Sequence, residues 1–509
     1  MYSSIKTAVL QGVEAVPVCV EADVSEGFPR FEMVGFLSSE VREAKERVRT
    51  AIHNAGFHLS AKKITVNLTP ADVRKSGNSC DLPVAAAVLS AYGFVDDGIL
   101  RDYLLFGEVG LNGDILPVNG VLNAAILAIR MHMRGIIVPW ENRHEAALFE
   151  ELSLIPVRTL SEFCEICAGA LPASCFYSEI NPVRKPSYQE DFREVCGQEQ
   201  VRRAMEIAAA GMHNLLIGGP PGSGKSMMAK RLPTILPPLN REEKLEVSQI
   251  YSACGLLDEE QILLQERPFR APHHTITRQA LIGGGNAPHP GEVSLAHKGV
   301  LFLDEMAEFS GHTLEALREP LEDGRIRISR TAGSYEFPAE FLLLGSANLC
   351  PCGYYPDRKR CRCTPRMIAG YQQKFSGPLL DRFDLSVMAE TVDYGQLEHS
   401  EEAESSARIR ERVIKAHRIQ AKRYEGLGYL YNSRIPARDM DAFCGLHAQL
   451  HRDARRLYEE YKLTVRSYSK VLRVARTIAD LDGAEAIGRP HLLEAMQLRA
   501  LGRDYWDLK

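Results

Sequence analysis

Apolar and polar residues alternate through MYSSIKTAVLQGVEAVPVCVEADV at the start of the chain and again in KITVNLTP, the period-two pattern of half-buried strands. Between these stretches the period changes. Ala44, Val48, Ala51, Ile52 and Ala55 share one face of a helix, with Ser39 to cap it, Glu40 and Glu43 in its first turn and Gly56 to stop it. Residues 1–170 therefore read as an α/β unit. LPASCFYSEINPVRKPSYQ, residues 171–189, has no periodicity and predicts a linker. The block 190–395 holds continuous apolar runs, GVLFLDEM and FLLLGSANLC, that predict buried strands, and 396–509 reads as helical.

Composition narrows the class. With 45% hydrophobic and 25% charged residues, a chain of 509 residues is an ordinary globular protein of two to four domains. A net charge of −5 excludes a uniformly basic nucleic-acid coat, so any such contact must be local. The N-terminus lacks a signal peptide's apolar core, and the longest nearly apolar run, Leu82 to Val95, is too short to span a bilayer. Twelve cysteines without secretory features point to the reducing cytoplasm, as thiols or metal ligands.

The strongest chemical signal is LIGGPPGSGKSMMAKRLP, residues 216–233. A strand, a loop of Gly219, Pro220, Pro221, Gly222, Ser223 and Gly224, then Lys225 and Ser226 opening a helix match the P-loop template. The glycines let backbone N–H groups converge on a phosphate at a helix N-terminus, Lys225 reaches the terminal phosphates, and Ser226 takes a place on Mg²⁺. An ATPase needs acids at the end of a second strand, and GVLFLDEM supplies Asp304 for magnesium and Glu305 to orient and deprotonate the attacking water. FLLLGSANLC ends in Asn348, either a sensor of the γ-phosphate or the cap of a turn. GPLLDRFDL places Arg382 between acids, either in a local ion pair or as an arginine finger reaching a neighbour's ATP.

Two other stretches carry candidate chemistry. CPCGYYPDRKRCRC holds Cys350, Cys352, Cys361 and Cys363, enough thiolates for a tetrahedral zinc, although Cys-x-Cys is tighter than the usual pair. The other reading is a basic loop with free thiols, its Arg358, Lys359, Arg360 and Arg362 touching phosphate. In GRIRISRTAGSYEFPAEF, Ile326 and Ile328 alternate with Arg325 and Arg327, which predicts a β-hairpin with Arg330 near its tip. CEIC at 164–167 reads as helix core, while His273, His274, His289 and His297 leave a second metal set open.

RPFRAPHHTITRQALIGGGNAPHPGEVSLAHKGVLFLDEM resembles the signature of the magnesium-chelatase-like AAA+ ATPases, and EALREPLEDGRIRISRTAGSYEFPAEF, CPCG, GPLLDRFDL and VLRVARTIADL extend the likeness over nearly the whole chain, most closely to the bacterial YifB/ComM group. The resemblance implies an AAA+ P-loop core with a helical lid and a homo-oligomeric, hexameric ring using ATP and Mg²⁺. It also implies DNA branch migration of the kind that serves natural transformation. It gives Asn348 the sensor role, Arg382 the finger role, and a lid arginine, Arg466 in preference to Arg473, a place at the γ-phosphate. Leu349 departs from the family's usual Pro. It further implies that the arginine hairpin projects into the ring's pore, where Arg325, Arg327 and Arg330 meet a DNA backbone; the competing reading is a solvated edge whose charges prevent pairing. FGEVGLNGDILPVNGVLNAAILAI and GIIVPWEN resemble the Lon-protease-like (ribosomal S5 domain 2-like) α/β domain. Ser79 lies where that domain's serine belongs, but Leu122 stands at the lysine position and Lys62 and Lys63 are far from it, so a docking module is expected rather than a peptidase. A DNA translocase and a chelatase-like remodeller of a protein partner remain the two function classes.

Overall fold

The computed structural model describes residues 1–169, 188–258, 262–330, 333–391 and 403–499. The expected linker at 171–189 falls outside the described residues except for its last two positions, as does the expected core–lid boundary at 395/396.

The N-terminal residues build a seven-stranded mixed sheet in the order Arg30–Val34, Lys63–Thr69, Glu14–Ser25, Tyr2–Gln11, Tyr103–Leu105, Gly135–Pro139, Ser153–Val157. The alternating first strand pairs antiparallel with the second from Tyr2↔Asp23 to Gln11↔Glu14. The predicted helix is Ser39–Asn54, and it buries Val41, Ala44, Val48, Ala51 and Ile52. Its cap is Ser38 rather than Ser39: the Ser38 hydroxyl, on extended backbone, accepts the Val41 amide at 3.4 Å, and Ser39 is already helical. Cys164 and Cys167 lie inside the helix Leu160–Cys167, where burial pushes both thiols up to about 12, so CEIC is packing.

A second sheet has five parallel strands in the order Phe269–Arg270, Val300–Leu303, Leu342–Ala347, Leu215–Gly218, Leu385–Met388. Its strands are apolar and mostly buried, as expected for a parallel sheet covered on both faces. The strand that leads into the P-loop is therefore flanked by the last strand and by the one that ends at Asn348. This is the order in which strand carboxyl ends gather around one ligand crevice. Helices Ser406–Arg423, Ala448–Glu460, Val465–Leu481 and Arg489–Gln497 follow, and Val471, Val474, Ala475 and Ile478 pack in one core with Ile207 and Ala208 of helix Glu199–Gly211. The N-terminal unit sits directly on this second unit: Val13 joins a core cluster with Phe337 and Phe341, and the Gly120 amide donates to the Ser252 carbonyl at 3.0 Å.

Candidate ATP site

The strand Leu215–Gly218 runs into the loop at Gly219, and the helix Lys225–Ile235 opens at Lys225. Gly222 and Gly224 take φ of 79° and 80°, and a Cβ on Gly219 would lie 2.7 Å from the Ala389 carbonyl oxygen, so the loop requires glycine at these places. Lys225 Nζ donates to the carbonyls of Gly219 and Pro220, each at 2.9 Å, and to Asn348 Oδ1 at 3.2 Å. Burial lowers its pKa, while Asp304 and Glu305 pull the other way. An ammonium held half-buried among neutral oxygens is a ready partner for phosphate. Ser226 Oγ donates to Asp304 Oδ2 at 2.6 Å, which places the two expected Mg²⁺ ligands side by side.

The acid pair is held by a residue that the sequence reading missed. Ser346, fully buried on the neighbouring strand Leu342–Ala347, donates its hydroxyl to Asp304 Oδ1 at 2.5 Å and accepts the Glu305 amide at 3.1 Å. Its only signal in sequence is a hydroxyl inside an otherwise apolar strand. Glu305 stands at φ 50° and ψ 49°, a left-handed conformation that costs a non-glycine residue roughly 1–3 kcal/mol and is tolerated mainly where function needs it. The turn aims its carboxylate outward, where it has no hydrogen-bond partner among the described residues.

The arginines make their contacts elsewhere in the chain. Arg382, only 6% exposed, pairs with Glu322 Oε2 at 2.5 Å rather than with the acids beside it in sequence. Asp384 instead pairs with Lys470 at 2.9 Å, and that ammonium, with His213, holds its carboxyl well below the usual range. Arg466 Nη2 meets the other oxygen of the same Glu322 at 3.1 Å, so one carboxylate holds both arginines. Arg473 points into the lid and donates to the Ile435 carbonyl at 2.6 Å. Arg382 and Glu322 line a charged cleft of about 480 Å³ together with Arg278, Glu315, Glu319 and Arg327.

Comparison with known proteins gives the family. The family described as magnesium chelatase, subunit ChlI, matches residues 191–397; a second description, subunit ChlI of Mg-chelatase, matches 20–142, and the ChlI C-terminal family matches 403–499. YifB of Salmonella typhimurium is 43% identical over 503 residues, 98% of this chain and 97% of its own length. The competence protein ComM of Haemophilus influenzae is 40% identical over 97% of this chain and 96% of its own length. This chain belongs to the YifB/ComM family of magnesium-chelatase-like AAA+ ATPases. The magnesium-chelatase 38 kDa subunit of Cereibacter sphaeroides is a more distant relative, 26% identical over 59% of this chain.

The remaining candidates of this YifB/ComM chain occupy distinct places. The four Sγ atoms of Cys350, Cys352, Cys361 and Cys363 lie within 4.8 Å of one another, the one metal-spaced cluster of His, Cys, Asp or Glu among the described residues. His297 is buried instead against Glu246 at 3.2 Å and accepts the Glu340 amide, while the rings of His273 and His274 lie against each other. The arginine hairpin pairs Arg325–Arg330 with Gly333–Pro338; Ile326 and Ile328 face inward, Arg325 and Arg327 outward, and Arg330, on the isoleucines' side of the strand, is exposed at its end, while Thr331 and Ala332 lie outside the described residues. Arg325 and Arg327 are not free, since Glu336 on the return strand accepts from them at 2.9 and 3.1 Å. Arg330 is exposed and has no ion pair among the described residues. In the Lon-like unit Ser79 is buried, Leu122 is fully buried in a helix, and the one buried lysine nearby, Lys75, donates to the Pro70 carbonyl. No helix among the described residues is long and apolar enough to cross a membrane.

Proposed function

We propose that this protein is a cytoplasmic, ring-forming motor that hydrolyses ATP between neighbouring subunits and uses the energy to move along DNA. The observation that carries the ATPase half is the convergence of Lys225, Ser226, Asp304, Asn348 and the outward Glu305 at the ends of adjacent parallel strands. Ser226 and Asp304 would hold Mg²⁺, which neutralises phosphate charge when bound. Lys225 and the loop amides of 219–226 bind the phosphates, Asn348 holds Lys225 and meets the γ-phosphate, and Glu305 takes the proton of the attacking water. Arg382 and Arg466, gathered on Glu322, are offered together to a neighbour's nucleotide, and a hexamer closes the ring. The four clustered thiolates take a structural zinc. The Lon-like unit, with an aliphatic side chain where a base is needed, acts as a docking module.

The DNA half rests on the exposed arginines of the hairpin and on the likeness to a protein named for competence. A second reading, remodelling of a protein partner, is favoured by the likeness to a chelatase subunit and by Glu336, which already neutralises two of the three arginines. The readings separate on one variant. In Arg327→Ala/Arg330→Ala, DNA binding weakens and the slope of log affinity against log salt flattens by roughly 0.7–0.9 for each phosphate no longer neutralised, while basal hydrolysis persists. Fluorescence anisotropy with labelled single-stranded and branched DNA over a salt series measures this. An unchanged slope and affinity moves the protein to the remodelling class.

A further inference from the structure

We propose that the Cys350, Cys352, Cys361, Cys363 cluster binds one Zn²⁺ whose structural task is to press the sensor segment onto the P-loop, so that nucleotide affinity depends on zinc. The proposal rests on the reading of residues 219–226 as an ATP site.

The thiols have the spacing that zinc imposes. A tetrahedral site with Zn–S of about 2.3 Å requires sulfur pairs roughly 3.8 Å apart. Here Cys350 and Cys352 are 3.4 Å apart, Cys350 and Cys361 3.8 Å, and Cys352 and Cys361 3.6 Å. The Tyr355 amide donates to Cys350 Sγ at 3.4 Å, the kind of outer contact that fixes a thiolate ligand. Cys350, Cys361 and Cys363 are buried, yet their segment has no helix or strand between Ala347 and Pro365, and little apolar mass beyond Ile368, Tyr354 and Tyr355 surrounds them. A buried set of thiols in so small a cluster is the pattern in which metal binding supplies the folding energy. Charge agrees as well: four thiolates around Zn²⁺ carry two excess negative charges, and Arg358, Lys359, Arg360 and Arg362 stand exposed around them. This gives the basic residues a task that does not call for a nucleic acid.

Two features tie this knot to the nucleotide loop. Asn348, whose Oδ1 accepts from Lys225, is followed at once by fully buried Leu349 and Cys350. Gly353, in the turn closed by its own amide on the Cys350 carbonyl at 3.0 Å, lies flat against Pro221 of the P-loop. A Cβ there would be 2.5 Å from Pro221 Cδ and 3.7 Å from the Asn348 carboxamide carbon, and the backbone stands at φ 84°. Removing the ion frees the turn that supports both Pro221 and Asn348.

The test uses the full-length protein. Elemental analysis is expected to find about one zinc per chain, and Cys361→Ser to abolish it. Binding of a fluorescent ATP analogue with excess Mg²⁺ should weaken in that variant by a factor in the range of ordinary site-to-site coupling, roughly 5- to 150-fold. Coupling is reciprocal, so Mg·ATP should tighten zinc against a chelator by the same factor in the wild-type protein. Gly353→Ala supplies a variant with all four ligands intact: it should keep its zinc and lose nucleotide affinity. Lys225→Ala separates the two readings, since it should keep zinc but lose both nucleotide binding and the ATP-induced tightening; unimpaired binding there removes the ATP-site reading itself. Absence of zinc from folded protein, or normal nucleotide affinity in Gly353→Ala together with ATP-insensitive zinc release, overturns the proposal.

Discussion

Glu305→Gln is expected to lower steady-state ATP hydrolysis by ~10²–10⁴-fold, the usual worth of a positioned general base, while Mg·ATP binds with near-normal affinity. The geometry separates the two quantities. Asp304 is held by Ser226 and by Ser346, and neither hydrogen bond involves the Glu305 side chain. The substitution keeps the shape of the side chain and the strained turn at φ 50° and removes only the charge that accepts a proton. Phosphate release measured beside equilibrium nucleotide binding gives both numbers. Turnover within a few-fold of wild type removes Glu305 from proton transfer and leaves its left-handed backbone without a chemical purpose.

Arg382→Ala should cost ~10³-fold or more in hydrolysis if its guanidinium serves as a finger. The variant carries an ambiguity, because Arg382 also makes an ion pair with Glu322. Mixing resolves it. Arg382→Ala and Lys225→Ala subunits are each inactive alone, yet a mixed ring contains boundaries where an intact P-loop faces an intact finger. Activity should therefore reappear on mixing and vary with the ratio of the two. Silence in rings shown to be mixed would falsify action across the boundary.

What was legible in the sequence was local. Gly219, Gly224, Lys225 and Ser226 lie within eight consecutive positions, and phosphate geometry allows few other spacings, so the loop declared itself. The hairpin was legible because a pleat has one period, and Ile326 and Ile328 took the buried face that it dictates. Pairings set by the fold were hidden. Glu322 lies 60 positions before Arg382 and 144 before Arg466, and no residue pattern links them. The partner of Arg325 and Arg327 depended on cross-strand register, which the turn residues did not fix. Ser38 replaced Ser39 as a cap because adjacent serines satisfy the same rule and only the backbone decides between them. The four cysteines lay between these cases, since their spacing gave the number of thiols and the fold brought them together.

The ion pair between Lys470 and Asp384 bears on how the lid can move. Asp384 lies two residues beyond Arg382, and Lys470 one helical turn beyond Arg466; both are nearly excluded from water, and Lys470 also donates to the Phe383 carbonyl. Removing one member of a buried pair of this kind costs about 3–5 kcal/mol, so the Arg382 segment and the lid helix are expected to behave as one rigid lever and not as two jointed arms. A lid fastened in this way cannot swing over its own nucleotide without dragging Arg382 along. If Arg382 serves a neighbour's nucleotide, any tilt of the lid is felt directly at that neighbour's P-loop.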